Sequence, residues 1–220
     1  MNVQHALVSF KLETSLKIAS NNDGTNAVNK KGLVFGETYK FSAKLAGSKN
    51  HIASTRIVWT IKYMSPSTSK NKTITLKAIT KGPEFTLELK DKYKDMLGCY
   101  IDVTCHMEAR PKKSFSNKYF VHNRFKYFDG KKLADQAQQR MSKPWMIDQA
   151  QSSLCGMACL YYILIQRNKS LYQRVAVELH RTGVYNFSNG YTIEPKSSMY
   201  DIKPSDSNYK NMKMEEVDWI

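Results

Sequence analysis

No run of 18 apolar residues occurs anywhere in this 220-residue chain, so no helix long enough to cross a bilayer is expected. The N-terminus, Met1-Asn-Val-Gln-His-Ala-Leu-Val8, lacks a charged segment leading into an apolar one, the pattern of a secretory signal. The expected location is cytoplasmic before export, with secretion by a route that reads no signal peptide. Cysteine is scarce, four in all. Cys99 and Cys105 fall on one predicted strand with Cα atoms roughly 20 Å apart, too far for a disulfide. Cys155 and Cys159 lie one helical turn apart. A disulfide framework is therefore not indicated. A zinc site from Cys155, Cys159 and a His fits no usual ligand spacing, so no metal and no cofactor is expected.

Acidic side chains are also few, 19 against 34 basic ones, for a net charge of +15. The imbalance is uneven. Residues 1–140 hold 25 Lys and Arg against 11 Asp and Glu, while residues 141–220 hold 9 against 8. That step marks a domain boundary near residue 140. A basic face attracts nucleic acid, anionic lipid or an acidic protein. Here the lysines are scattered through strands and turns, where they also guard strand edges, and no nucleic-acid-reading motif accompanies them. A protein partner is expected and nucleic acid is not.

What the sequence does have, up to about residue 128, is period-two alternation. Leu7–Leu12, Lys31–Gly36, Thr38–Leu45, Ile57–Tyr63, Thr73–Ile79, Glu84–Leu89, Tyr100–Met107 and Tyr119–Phe128 read as short strands separated by turn residues. Trp59 sits among β-branched residues in the clearest of them. Strands at roughly ten-residue spacing predict a β-sandwich. Trp59 and the segment Gly98-Cys-Tyr-Ile-Asp-Val-Thr-Cys105 resemble the third and sixth strands of immunoglobulin-like folds, including PKD-type domains of bacterial surface and secreted proteins. Such domains bind, space or present. Lys131–Met141 reads as a short polar linking helix with Leu133, Ala137 and Met141 on its apolar stripe.

The most informative stretch runs from Pro144 to Gln166. Leu154, Ala158, Tyr161, Tyr162 and Ile165 recur at helical spacing, and Ser152 or Ser153 can cap the helix. Cys155 then lies in the first turn, where unpaired N–H groups and the helix dipole favour a thiolate. Gly156 leaves room beside the sulfur. Gln149 is placed so that a loop can aim its amide at the same spot, forming an oxyanion hole with the Cys155 N–H. Gln149, Cys155-Gly156 and the apolar helix resemble the nucleophile segment of papain-like cysteine peptidases, with the spacing of bacteriocin-processing peptidases. The resemblance covers about 25 residues and implies Cys155 as nucleophile and Gln149 as oxyanion-hole residue. Alternatively, Cys-Gly before an apolar helix is simple core packing.

The resemblance also calls for a histidine on a later strand. After Cys155 there is one, His180, near the end of a predicted helix Ser170–Arg181, where it reads as a partner for terminal carbonyls. Three explanations stay open: the chain is the front part of a longer protein, the domain is degenerate, or the His comes from elsewhere, such as His122 or a partner chain. The abrupt end at Glu215–Ile220, with Val217, Trp219 and Ile220 alternating like a beginning strand, favours the first.

The expected fold is therefore α+β: an immunoglobulin/PKD-like sandwich over 1–128, a helical linker over 129–143, and a mainly helical, incomplete papain-like domain over 144–220. The expected function is a cysteine peptidase or amidase acting on a peptide or peptide-like amide. The alternative is a non-enzymatic binding or delivery module. A signal-less chain of this layout resembles antibacterial effectors of contact-dependent secretion, such as type VI effectors of Bacteroidetes. That likeness implies a toxin whose sandwich docks on a secretion spike or an immunity protein.

Overall fold

The computed structural model describes residues 6–65, 72–148, 155–204, 206 and 214–220. In chain order they form β1 (Ala6–Leu12), β2 (Lys17–Ser20), β3 (Val28–Val34), β4 (Thr38–Ala46), α1 (Lys49–Ser54), β5 (Arg56–Met64), β6 (Thr73–Lys81), β7 (Glu84–Glu88), β8 (Tyr100–Met107) and β9 (Arg110–His122). Then come α2 (Gly130–Ser142), α3 (Cys155–Arg167), α4 (Lys169–Thr182), β10 (Tyr185–Asn186) and β11 (Thr192–Ile193). The chain divides into two compact units, residues 1–17 with 31–122 and residues 18–30 with 123–220.

The first unit is a two-sheet β-sandwich. One sheet has the order β1-β4-β7, and the other runs β3-β9-β8-β5-β6. Alternation puts the core in place. In β8, Ile101, Val103, Cys105 and Met107 are buried while Asp102, Thr104 and His106 are half-exposed. Trp59 of β5 is the hub. Its ring meets Phe10 edge-on at 5.8 Å and stacks on Phe85 at 5.3 Å, so residues of both sheets close over it. Its indole N–H donates to Thr80 Oγ1 at 3.1 Å, which satisfies the one polar atom it buries. Burying side chains of this size contributes about 1.5–3 kcal/mol each. Where β3 runs parallel to β9, Gly32 is required. A Cβ there would lie 2.4 Å from the Phe120 carbonyl oxygen and 2.7 Å from His122 Nε2.

Two elements differ from the sequence reading. The last strand is Arg110–His122, not 119–128, because β8 recruits the polar stretch through the register Tyr100↔Phe120 to His106↔Ser114. The aromatic run then leaves the sheet, and Phe125 and Phe128 pack against Tyr200 in the second unit. A helical turn, α1, occupies a stretch read as a loop.

The second unit joins residues 18–30 to the C-terminal part. Leu133 and Ala137 of α2, Ile165 of α3, Tyr172 and Ala176 of α4 and Val217 form its core. Asp129 caps α2: one carboxylate oxygen accepts from the Lys131 and Lys132 N–H groups, the other from Gly24 and Asn26. The Asp129 N–H donates to Glu216 at 2.6 Å. Asn168 caps α4 through the Leu171 N–H, and Gly183, at φ 79°, closes it in the left-handed region that glycine alone enters freely.

The expected fold class is overturned. The described chain is mostly β, 39% strand against 32% helix, and no clear helical papain-like domain follows the sheets. The physical reason lies in what the three helices pack on. Asp129 ties α2 to an N-terminal segment and a C-terminal turn, and α3 is covered along one side only, so it is not an enclosed helix.

Trp59→Ala should destabilise the first unit by about 3–5 kcal/mol in a denaturant titration, through lost transfer energy and a cavity. Ile79→Ala, at a half-exposed site on β6, should stay within about 0.5 kcal/mol. Equal effects would show that Trp59 is not the hub.

Candidate functional site

Helix α3 begins at Cys155. Its inner side is set by Tyr161, Leu164 and Ile165, which join the second core, and the Tyr161 hydroxyl donates to the Ile220 carbonyl at 3.2 Å. The outer side is also apolar. Leu160 is 58% exposed, Ile163 54% and Tyr162 44%, with Met157 beside them. A helix apolar all round is ordinarily enclosed; this one is seated along a single stripe. The sequence reading had placed Tyr162 on the inner stripe. At 100° per residue, Tyr161 and Leu164 lie to one side of Ile165 and Tyr162 lies 60° to the other, which turns it outward.

Beside that outer side lies a groove of about 500 Å³. One wall is Pro144, Trp145, Ile147 and Asp148, and the other is Cys155, Ala158, Cys159, Tyr162 and Ile163 of α3. Trp145 is 72% exposed. A proline at the first position of the turn Pro144–Met146 fixes the backbone direction there. Cys155 and Cys159 are both exposed and both line the groove, whereas Cys105 is buried, which pushes its thiol up to about 12. Cys99 is half-buried, with its sulfur 3.4 Å from the Met64 carbonyl.

Of the expected site residues, Cys155 is the first described residue of α3 and is accessible. Gln149, with the capping candidates Ser152 and Ser153, lies outside the described residues. No histidine is among the described residues lining the groove. His180, the single histidine of the second unit, is fully enclosed. Its Nε2 lies 3.2 Å from the Phe128 carbonyl oxygen, which can only accept, so Nε2 carries the hydrogen. Burial pushes it down to about 4, against partial support from the Phe128 carbonyl and Asp129. It is thus a neutral, buried strut, not the charged dipole partner read from its place in the last turn. His122 is also fully buried, within the first unit. The groove walls contributed by Trp145, Ile147 and Asp148 had been read only as loop. The signal was an unprotected tryptophan directly after a proline.

A second perturbed group of this unit is Glu216. Burial pushes its carboxyl up to about 7, opposed by the hydrogen bond from the Asp129 N–H and by Lys132. With its side-chain amide oriented to suit both neighbours, Asn26 donates to Glu216 and accepts from Lys132.

No family model matches this chain, and no curated protein matches it. Among solved structures, the ASH / PapD-like domain of human CEP192 (PapD-like domain 7) is similar at a TM-score of 0.23 and 8% identity, over 52% of this chain and 83% of that one. A likeness of that size carries no argument about fold or function.

The two perturbed groups pull stability in opposite directions. Glu216 titrates higher in the folded state than its ordinary 4.5, so its contribution is lost as pH rises from about 4.5 to about 7. His180 titrates lower than its ordinary 6.5, so its contribution is lost as pH falls from 6.5 towards 4. Glu216→Gln should therefore unmask the His180 slope. Between pH 6.5 and 4.5 the variant's melting temperature should fall more steeply than the wild type's. Parallel curves would contradict the burial of these two groups.

Proposed function

We propose that Cys155 is the nucleophile of a cysteine peptidase or amidase activity, and that the groove beside it takes a peptide or peptide-like amide. The observation that carries this reading is an exposed thiol on the first described residue of α3, opening onto a groove with exposed aromatic walls. The unpaired N–H groups of a helix start favour the thiolate over the thiol, and the same N–H groups can hold an oxyanion. In this reading the sulfur attacks the substrate carbonyl, the carbonyl electrons move onto oxygen, and collapse expels the amine to leave an acyl-enzyme. Gln149 is proposed as the second oxyanion donor. The thiol proton needs a base, and His180, sealed and held on a carbonyl, is not that base. The base is then not a histidine of this unit. In the same proposal the sandwich docks the chain on a protein partner during export as an antibacterial effector.

A second reading has its own support. An outward apolar face on α3 and the lack of a histidine among the described residues at the groove suit a binding or delivery module in which Cys155 does no chemistry.

A peptide vinyl sulfone, which captures thiolates held beside a peptide-binding groove, separates the two. The nucleophile reading expects one adduct, on Cys155, absent from Cys155→Ala and slowed about tenfold in Trp145→Ala. Cys155→Ala should leave stability within about 0.5 kcal/mol, as the site is exposed. Adducts spread evenly over Cys99, Cys155 and Cys159 would overturn the reading in favour of the binding module.

A further inference from the structure

Cys155 does not stand alone in its groove. Cys159 is four residues on, on the same side of α3, exposed, and lines the same groove. Residues at this spacing face one another along a helix, with Cα atoms about 6 Å apart and Cβ atoms about 5–6 Å apart. A disulfide accepts that Cα separation but needs the Cβ atoms about 1–1.5 Å closer. Closing that gap takes a local departure from helical geometry at Cys155. A small turn of its backbone and χ1 brings its sulfur over Cys159 without disturbing Tyr161, Leu164 and Ile165, which anchor α3 further along.

We propose that Cys155 and Cys159 are a redox pair: a reversible disulfide between them, formed by a peroxide, masks the groove thiol, and reduction by a small dithiol restores it. This rests on Cys155 being the nucleophile described above. The Cys155 thiolate attacks one peroxide oxygen, the O–O bond breaks, hydroxide leaves, and Cys155 becomes a sulfenic acid. The Cys159 sulfur then attacks the Cys155 sulfur, the S–O bond breaks, and the hydroxyl leaves as water with the Cys159 proton. Two thiols are oxidised by two electrons in all, and one peroxide becomes two waters. Cys159 thereby also spares Cys155 from irreversible oxidation to the sulfinic acid. Neither Cys99, just before β8 in the other unit and hydrogen-bonded to the Met64 carbonyl, nor buried Cys105 shares this arrangement.

The test is to oxidise the full chain with a several-fold molar excess of hydrogen peroxide, since a sulfinic acid consumes two peroxides per thiol, block remaining thiols with N-ethylmaleimide, and map the peptide 141–167, which holds both residues between Arg140 and Arg167. The proposal predicts a peptide lighter by about 2 Da, the loss of two hydrogens, unblocked at both cysteines and returned to two free thiols by dithiothreitol. In Cys159→Ser the same treatment should carry Cys155 on to sulfinic acid, at least tenfold more than in the wild type. If the wild type keeps both thiols blockable, or reaches sulfinic acid as readily as Cys159→Ser, the redox pair is excluded. Vinyl sulfone capture of Cys155 in the same preparation separates the two claims. Selective capture without a disulfide overturns only the pair. Capture spread evenly over the exposed thiols overturns the nucleophile and the masking role with it.

Discussion

One carboxylate holds the second unit together. Asp129 accepts four backbone N–H groups, two from the start of α2 and two from residues 24 and 26, more than a hundred positions away in sequence. Its own N–H reaches Glu216. Burying a carboxylate is costly unless its acceptor sites are filled, and here they are filled by charge-assisted bonds, the stronger kind. The result fixes where α2 begins, and Arg140 at its far end is paired with Glu215 and Asp218 of the C-terminal turn. Helix α2 then offers Leu133 and Ala137 to α3 and α4.

The candidate site follows from what that core leaves uncovered. Only one stripe of α3 is used to join it, so the residues on its other side, Cys155 among them, face the groove. Cys155 and Cys159 line the same groove one helical turn apart. The histidine that sequence alone would nominate is used otherwise. His180 donates to the Phe128 carbonyl from a site closed to solvent, which makes it part of the scaffold.

The sandwich was legible because its signal is local. Period-two alternation in β5 and β8 and the burial of Trp59 follow from one strand's own residues. Helix α4 was legible for the same reason, from a Val175, Ala176 and Leu179 stripe and the Gly183 stop. That Cys155 lies in a helix was also readable from spacing. What could not be read was anything decided by distant partners. The recruitment of residues 18–30 depends on backbone N–H groups meeting a remote Asp129, which no side-chain pattern announces. Nor could a 25-residue likeness specify how much of α3 its surroundings would cover, and the papain-like fold class failed on that point.

The central claim is that a helix start makes the Cys155 sulfur the reactive one. The most direct measurement is the rate at which iodoacetamide alkylates each of the four cysteines at neutral pH, read residue by residue from short exposures. Cys159 is the internal control, since it shares the groove, the exposure and the helix, and differs in its distance from the N-terminal N–H groups. The account predicts Cys155 ahead of Cys159 by about tenfold or more, with Cys105 slowest. A Cys155 rate equal to or below that of Cys159 would contradict it.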